Sequence, residues 1–465
     1  EPDGSVAVRP FGGMRIERTW FAADKTGFHM LHALFQTSLQ HTDVTRYDEW
    51  FATRLLVENG RCQGITAIDQ QTGQVRTILA KAVILCTGGG GRIFPFTTNA
   101  SIKTGDGMGM AYLAGVPLKD MEFVQYHPTG LPGTGILITE ASRGEGGLLK
   151  NSEGDRFLVT YDYGVGKKAE LGPRDMISRA VVQEIEAGRG ISGPYGEFVH
   201  LDLTHIGREK LEARLPFVLE LARTYAGVDP ITEPIPVRPV VHYMMGGVDT
   251  DIDGATTLPG LYAAGETACA SLNGANRLGS NSLTECLVFG ARAAQHAVLY
   301  SRGSSEGNES ALLAQAEAEA ARVSALRRHK KGSEKISTIR RELNTTMEEG
   351  CGVYREQASM LATVQTVASL QDRASDLRVS DDSMVFNTEV IAALEMKNMV
   401  DVAQAVSVSA AARLESRGAH TCRDFSSRDD ENFMHHTLCY LEAGGPRLDK
   451  KSVHLGHWEP EERKY

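Results

Sequence analysis

The spacing of apolar positions predicts a helix near the start of the chain and strands after it. Residues 24–38 carry apolar side chains at helical spacing, with Asp24 and Thr26 as candidate N-terminal caps. From Trp50 to Thr87 the apolar positions alternate between glycine-containing turns, a pattern typical of an antiparallel meander. Helix and sheet therefore both contribute to this first part of the chain.

The last strand of this region ends in a run of glycines. Ala82–Thr87 is continuously apolar, which predicts a strand buried on both faces, and it runs into Gly88–Gly91. A backbone without side chains lets a flat or phosphorylated ligand approach closely. The competing interpretation for each glycine is a tight turn. A second apolar strand, Leu258–Ala264, ends in the same way at Gly265 and Glu266.

The rest of the chain divides by composition and periodicity. Glycine and proline punctuate residues from about 130 to 240, which favours a separate α+β insertion with short helices. Residues 309–417 are helical by spacing and indicate a bundle-like domain. Residues 418–465 are polar, charged and predicted to be irregular.

Composition and charge narrow the possible functions. The 465 residues carry a net charge of −10, which argues against a nucleic-acid-binding surface. No apolar run approaches the roughly 20 residues needed to span a bilayer, so membrane attachment would require a partner. The seven cysteines form no CxxC pair, and no metal site is predicted.

Charged and imidazole side chains recur among glycines in five segments. Arginine and histidine next to glycine supply bidentate donors and a close backbone, as a dicarboxylate site requires. A single residue of this kind is more often structural or on the surface, but five such segments disfavour that interpretation. The segments are YHPTG (126–130), TEASRGEGG (139–147), LGPRD (171–175), HY (242–243) and GANRLGSNSL (274–283).

These strings, with others along the chain, resemble the flavoprotein subunit of the succinate dehydrogenase/fumarate reductase family. The resemblance covers essentially the whole chain, and ELGPRD (170–175) and WFAADKTGFHMLH (20–32) look more like the quinol:fumarate reductase branch. The other matching strings are FGGMRIERT (11–19), TGDGMGMA (104–111), MEFVQYHPTG (121–130), ITEASRGEGG (138–147), HYMMGG (242–247), LYAAGE (261–266), GANRLGSNSL (274–283) and SRGAH, RDF, RDDENF and HT between 416 and 437.

The resemblance implies a multidomain α/β fold. We expect a Rossmann-like FAD-binding domain with an inserted α+β capping domain, a C-terminal helical domain and an irregular tail. The expected boundaries are 1–126 and 242–305 for the FAD-binding domain, 127–241 for the capping domain, 306–417 for the helical domain and 418–465 for the tail.

FAD is the redox cofactor that the resemblance implies. Glu266, after a buried strand, can accept from ribityl or ribose hydroxyls, and Ser280–Leu283 open a helix whose N-terminus offers N–H donors to the flavin. The expected cofactor-binding residues are Trp50, Phe51, Ala52, Gly88, Gly89, Asp106, His242, Tyr243, Glu266, Arg277, Leu278, Gly279, Ser280, Asn281, Ser282 and Leu283.

The same resemblance assigns the substrate site and a proton-delivery chain. The substrate-binding residues are expected to be Phe11, His127, Thr139, His242 and Arg277, and the catalytic residues His127, Glu140, Arg143 and Arg174. Arg174 becomes the proton donor, resupplied through Glu140 and Arg143. Spacing by itself indicates only a carboxylate clamp for Arg174.

The implied activity is the interconversion of fumarate and succinate, in particular fumarate reduction in anaerobic respiration. The implied partners are an iron–sulfur subunit that passes on electrons from quinol and, through it, membrane anchor subunits at the cytoplasmic face of the inner membrane. The alternatives are a soluble oxidase such as L-aspartate oxidase, a succinate dehydrogenase working in the oxidative direction, and a non-catalytic assembly subunit.

The sequence departs from the family in several places. No GxGxxG follows an early strand, and the histidine that binds FAD covalently in the family has no counterpart here. We therefore expect an N-terminal part to be missing and the parent protein to hold FAD covalently. The segment between Asp155 and Glu170 looks short, and Ser142 stands where a thiol often precedes the motif arginine.

Overall fold

The structure is a computed structural model that describes residues 3–9, 18–161, 166–457 and 459–461. Its strands are β1 (Val8–Arg9), β2 (Thr19–Trp20), β3 (Trp50–Glu58), β4 (Arg61–Asp69), β5 (Gln74–Leu79), β6 (Val83–Leu85), β7 (Leu118–Lys119), β8 (Val124–Gly130), β9 (Leu148–Lys150), β10 (Val199–Asp202), β11 (Ile235–Met244), β12 (Gly247–Asp249), β13 (Leu261–Ala263), β14 (Ala268–Cys269), β15 (His435–Glu442) and β16 (Gly445–Ser452).

The α-helices are α1 (Thr26–Ser38), α2 (Asp106–Leu113), α3 (Ala141–Gly144), α4 (Arg174–Glu184), α5 (Arg208–Arg214), α6 (Pro216–Leu221), α7 (Asn281–Gly303), α8 (Glu309–Arg327), α9 (Ile336–Cys351), α10 (Gln357–Arg373), α11 (Thr388–Ala412) and α12 (Asp430–Phe433). Short 3₁₀ turns include Gly166–Leu171, which leads into α4. None of the helices in the described ranges combines the length and the apolarity needed to cross a bilayer.

Five sheets organise the described strands. In spatial order they are β1-β2, β3-β4-β5, β8-β11-β10-β9, β14-β12-β7-β15-β16 and the parallel pair β13-β6. The register of β8 against β11 places Val240 opposite His127. All of β8 is buried, so its side chains project into the interior on both faces.

Two main apolar cores separate the inserted segment from the rest. The larger one joins β3, β4, α2 and β8 to helices α9, α10 and α11. The other lies between Leu131 and Val237 and is built from α3, α4, β9 and β10. The α/β fold with an inserted α+β unit and a helical region is confirmed, while the exact domain boundaries stay a prediction.

The capping prediction for the first helix is wrong. α1 begins without a side-chain cap, and none of its residues is buried. Asp24 instead caps α6, since its Oδ2 accepts from the N–H groups of Phe217 at 2.8 Å and Val218 at 3.1 Å. Thr26 Oγ1 accepts from the N–H of Ala22, upstream of the helix. Local sequence identified cap-forming residues but could not identify which helix they cap.

Two further predictions need correction. Val83 and Ile84 in β6 are only half-buried and Cys86 is exposed, because β6 pairs with a single strand, β13, within the described ranges. Part of the tail that was predicted to be irregular forms the β15–β16 hairpin, which extends a sheet through pairing of β15 with β7. The exposed, lysine-rich β16 concealed the strand pattern in the sequence.

Candidate active site

Two histidines from neighbouring strands lie next to each other at the junction of the two cores. The ring centroids of His127 (β8) and His242 (β11) are 5.1 Å apart. The N–H of Thr129 donates to His127 Nδ1 at 3.2 Å, so in the neutral ring the proton is on Nε2. That Nε2 is buried and has no hydrogen-bond partner among the described residues. His127 therefore presents an unused N–H donor.

Burial and neighbouring cations keep both rings neutral. Burial lowers the pKa of His127 well below its ordinary value, and the charges of Arg174 and the other site cations lower it further. The pKa of His242 is lowered for the same two reasons. His242 Nδ1 forms a 2.8 Å hydrogen bond with Thr98 Oγ1, which fixes the orientation of the ring.

Arg174 begins α4 and is held by two side chains. Its Nε donates to Glu140 Oε2 at 2.9 Å and its Nη1 to Gln125 Oε1 at 3.0 Å. No partner within the described residues binds its Nη2. The guanidinium is therefore fixed on two sides and keeps one terminal nitrogen available for a ligand.

Gln125 is a site residue that the sequence interpretation missed. Its Nε2 donates to Asn276 Oδ1 and to the carbonyl of Arg277, both at 2.7 Å. It thus connects Arg174 to the loop before α7. The two-residue period of β8 offered a signal, since Gln125 precedes His127 by two positions.

Arg277 is buried, and no carboxylate among the described residues pairs with it. Its Nη1 donates to the carbonyl of Leu278 at 3.2 Å, and its Nε has no partner among the described residues. The guanidinium lies over the ring of Tyr243, 4.4 Å from its centroid. Burial, followed by the charge of Arg174, lowers the pKa of Arg277 to about 10.

Arg143, in α3, completes a cluster of three buried arginines. Its Nη2 lies 3.9 Å from Glu140 Oε2, and its Nη1 donates to the carbonyl of Glu170. The Nε and Nη2 atoms are buried without a hydrogen-bond partner in the described parts of the chain. Arg143 and Arg174 thus share one carboxylate, that of Glu140, and Arg277 adds a third buried cation, an excess of positive charge that suits an anionic ligand.

The described contacts do not test two predicted substrate residues, Thr139 and Phe11. Thr139 Oγ1 accepts from the N–H of Ala141 at 3.4 Å, and its contact with a substrate stays a prediction. Phe11 lies outside the described residues.

At two of the predicted cofactor glycines, Gly88 and Gly89, the backbone passes close to the side chains of Lys103 and Glu266. A Cβ on Gly89 would lie 2.7 Å from Glu266 Oε1, and a Cβ on Gly88 would overlap the Lys103 amine. Glu266 Oε1 accepts from the N–H of Met244 at 3.1 Å, and burial raises the pKa of its carboxyl. The narrow glycine segment and the buried carboxylate fit a ligand that carries hydroxyls and phosphates.

The predicted flavin-facing loop borders a cavity at the N-terminus of α7. Its volume is ≈ 370 Å³, and Gly279, Ser280, Asn281 and Leu283 line it together with Trp20 and Met30. Ser280 has a left-handed backbone with φ of 65°, and no side chain caps α7. The uncapped N–H groups of this helix can donate to an electron-rich ring, so these residues fit FAD.

The remaining predicted cofactor residues lie around this region in different roles. Asp106 accepts from Thr104 and from Asn398 at 2.7 Å, so its carboxylate connects α2 to α11. Phe51 and Ala52 pack against the larger core, and the ring of Trp50 contacts that of Tyr47 in a tilted arrangement. Leu278 is partly exposed, and Ser282 lies in the first turn of α7.

Comparison with known proteins gives the chain a consistent placement. A family model described as an FAD binding domain matches residues 1–283, and one described as the fumarate reductase flavoprotein C-terminus matches residues 340–465. The fumarate reductase flavoprotein subunit of Mycobacterium tuberculosis is 57% identical, over 100% of this chain and 82% of that protein. The succinate dehydrogenase flavoprotein subunit of Rickettsia bellii is 42% identical, over 97% of this chain and 78% of that protein.

A solved structure has the same fold. A mutant form of E. coli quinol fumarate reductase aligns with a TM-score of 0.96 and 49% identity, over 99% of this chain and 81% of that one. The identity is thus higher to relatives named for fumarate reduction than to the one named for succinate oxidation.

Proposed function

The chain belongs to the fumarate reductase/succinate dehydrogenase flavoprotein family, and from this premise we propose that it is the flavoprotein subunit of a quinol:fumarate reductase. Its cofactor is FAD. The reaction is the interconversion of fumarate and succinate, and the higher identity to fumarate reductases favours fumarate reduction.

The observation that carries the proposal is the charge balance of the buried cluster. Arg143 and Arg174 pair with Glu140, Arg277 pairs with no carboxylate of the described residues, and Arg143, Arg277 and His127 keep donors without partners in those residues. Buried cations without counter-charges are unfavourable unless a ligand supplies them. A dicarboxylate such as fumarate supplies two negative charges and four acceptor oxygens.

We assign substrate binding to the donors that face the cluster. His127 donates through Nε2, Arg277 through its guanidinium, and His242 lies beside them. The charge of Arg277 and the N–H dipole of His127 withdraw electrons from the substrate double bond and stabilise the charge that develops on carbon. FAD, when bound, supplies the hydride.

Proton delivery falls to Arg174. Glu140 and Gln125 hold two of its nitrogens, which leaves Nη2 for the substrate carbon opposite the one that receives the hydride. Glu140 returns a proton to Arg174, and Arg143 in turn supplies Glu140. The result of these transfers is that one proton passes from solvent to the substrate.

We propose Trp50–Ala52, Gly88, Gly89, Glu266 and Arg277–Leu283 as the FAD-binding residues. The support is the narrow glycine segment beside Glu266 and the cavity at the uncapped N-terminus of α7.

The electron supply is proposed from the relatives. A quinol is a membrane-soluble reductant, and one solved relative is named as a quinol fumarate reductase. We therefore propose that an iron–sulfur subunit docks on this chain and that membrane anchors join through it, at the cytoplasmic face of the membrane. Co-purification of the full-length protein in mild detergent with a metal-containing companion would support this assembly. Recovery of the full-length protein as a free species would contradict it.

The function can be tested on the FAD-loaded, full-length protein. We expect the protein to oxidise a reduced viologen dye when fumarate is added. With an oxidised dye it should also oxidise succinate, since both directions share one transition state. Aspartate should give no hydrogen peroxide in air. Peroxide formed from aspartate without fumarate turnover would overturn the proposal in favour of an oxidase.

A further inference from the structure

Arg143 is a weakly supported charge in the active site. Its side chain is completely buried, yet the only hydrogen bond of that side chain within the described residues is from Nη1 to the backbone carbonyl of Glu170. Its nearest carboxylate oxygen, Glu140 Oε2, lies at 3.9 Å. A guanidinium that keeps its place with so few contacts depends strongly on the group that does hold it.

The residue that supplies this carbonyl also carries, on its side chain, one half of an ion pair that reaches the surface. Arg156 binds the Glu170 carboxylate in a fork, with Nε donating to Oε1 at 2.7 Å and Nη2 donating to Oε2. The Glu170 side chain is 2% exposed, whereas that of Arg156 is 26% exposed. Glu170 also lies in the turn that leads into α4, so the same short segment positions Arg143 and Arg174.

We propose that Arg156 and Glu170 act as a positioning pair for Arg143 in proton delivery. Glu170 fixes the Arg143 guanidinium beside Glu140 and places a negative charge behind it, and Arg156 neutralises part of that charge. The inference rests on the proposed function, because it assigns the pair to resupply of the proton that Arg174 donates.

The charges that face Arg143 explain why partial neutralisation matters. Burial lowers the pKa of Arg143, Glu140 raises it, Arg174 lowers it and Glu170 raises it. A relay residue must lose its proton transiently, so a full, unopposed charge on Glu170 would hold the proton too tightly. Arg156 limits this effect, and its own pKa is raised by its hydrogen bonds to Glu170.

The two members of the pair should therefore have opposite effects. Arg156→Gln exposes Arg143 to the whole charge of Glu170, which raises the pKa of Arg143. Glu170→Gln removes that charge and lowers it. Both variants keep the backbone carbonyl that binds Arg143, so the position of the guanidinium is retained while its electrostatic environment changes.

The experiment measures kcat and KM for fumarate between pH 6 and 10 in the FAD-loaded, full-length protein. We expect Arg156→Gln to lower kcat about tenfold for each unit by which the pKa of Arg143 rises. It should also move the alkaline limb of the pH profile of kcat to higher pH. Glu170→Gln should move that limb to lower pH. KM should change less than about twofold, since neither side chain touches the substrate.

A matched pair in the same region controls for loss of stability. Arg189 also forks from the surface onto a buried carboxylate, with Nε at 2.8 Å and Nη2 at 2.7 Å from Glu184, which contacts none of the catalytic side chains in the described structure. Arg189→Gln should leave the pH profile of kcat unchanged. Arg156→Lys, which keeps the charge, should restore most of the wild-type profile and serves if Arg156→Gln fails to fold.

The outcomes separate this inference from the function it rests on. If the wild-type protein does not reduce fumarate, the proposed function fails. If it does, but Arg156→Gln and Glu170→Gln shift the profile in the same direction or behave like Arg189→Gln, the pair is structural and the inference is overturned.

Discussion

The chain contains two clusters of buried arginines that are built on opposite principles. In the C-terminal cluster every nitrogen of Arg413 is paired. Its Nε donates to Glu122 at 2.6 Å, its Nη1 to Glu415 at 2.8 Å and its Nη2 to the His435 carbonyl and Thr437 Oγ1. This cluster connects the end of α11 to Glu122, just before β8, and to the tail.

The active-site cluster is left without such pairing. Arg143 and Arg174 share the carboxylate of Glu140, Arg277 has no carboxylate partner among the described residues, and three guanidinium nitrogens of Arg143 and Arg277 are buried without partners there. The two clusters use neighbouring positions of one segment, since Glu122, which binds Arg413, precedes Gln125, which binds Arg174, by three residues. The difference therefore has a local cause. Arg413 has carboxylate partners next to it, whereas Arg277 has none among the described residues.

The pKa values follow this difference. Burial lowers the pKa of Arg413, but Glu122 and Glu415 more than compensate, and the net shift is upward. Burial and Arg174 lower the pKa of Arg277 to about 10. A neutralised cluster stabilises the folded chain, whereas an under-neutralised one is suited to bind an anion and to move a proton.

The largest expected effect comes from removing the proton donor. Arg174→Lys should lower kcat by up to about 10⁴-fold, the upper range for general acid catalysis, because an ammonium cannot hold Glu140 and Gln125 and still reach the substrate. Fumarate affinity should stay within about tenfold, or about 1.4 kcal/mol. Flavin spectral titration gives the dissociation constant, and dye-linked turnover gives kcat.

Glu140→Gln sharpens this prediction. It should resemble Arg174→Lys in milder form, because it interrupts resupply of the proton and leaves the donor in place. If Arg174→Lys loses affinity but keeps kcat, Arg174 is a carboxylate clamp, and Arg143 becomes the candidate donor.

The second prediction concerns the paired cluster. Arg413→Gln leaves Glu122 buried without its cation and Glu415 with Arg417 alone, and it should reduce the free energy of unfolding by about 3–5 kcal/mol. Arg277→Gln removes a buried charge that has no carboxylate partner, so without substrate its cost should be far smaller. Denaturant unfolding of the FAD-bound protein in the absence of dicarboxylate compares the two. Equal losses would show that the clusters do not differ in the way described.

How far the sequence could predict this arrangement depended on the range of the interaction. Helix α1 was predicted to within two residues at its start, and α8 to α11 lie in the segment 309–417 that was predicted to be helical, because apolar periodicity is a local signal. The residue types of the site were also recognisable, since His127, Arg174 and Arg277 lie in distinctive glycine-rich strings. These predictions concern single segments.

The interactions between segments could not be predicted in this way. Gln125 was missed because its role depends on Arg174 and Asn276, which are 49 and 151 residues away. Asp24 was assigned to its own helix because its partners at Phe217 and Val218 are more than 190 residues away. Periodicity contains no information about which distant backbone groups a carboxylate will meet.

The third prediction tests substrate binding within the under-neutralised cluster. Arg277→Lys should weaken binding of fumarate by about 10- to 100-fold, or about 1.4–2.8 kcal/mol, because a point charge does not reproduce a planar fork on a carboxylate. kcat at saturating fumarate should fall much less than in Arg174→Lys. A variant with unchanged affinity would remove Arg277 from the substrate site.

The smallest effect is a change in how acid destabilises the protein. Burial and neighbouring arginines lower the pKa of His127, His242 and His420 well below the ordinary value. Below about pH 6.5 these histidines are protonated in the unfolded chain but stay neutral in the folded protein, so stability falls as pH falls. Each histidine contributes up to about 1.4 kcal/mol per pH unit until its folded pKa is reached.

A bound dicarboxylate should change the contribution of His127 and His242 to this pH dependence but not that of His420. His127 and His242 face the proposed dianion, which raises their folded pKa values and reduces their share of the acid sensitivity. His420 is held elsewhere, with Nδ1 accepting from Arg355 and Nε2 donating to the Arg413 carbonyl, so its share should remain. Denaturant unfolding between pH 5.5 and 7.5, with and without saturating succinate, should therefore show a smaller pH slope with succinate, and His420→Gln should lower the slope by the same amount in both conditions. A slope that succinate leaves unchanged would mean that the two histidines do not face the ligand, because a bound dianion beside a neutral imidazole must increase its proton affinity.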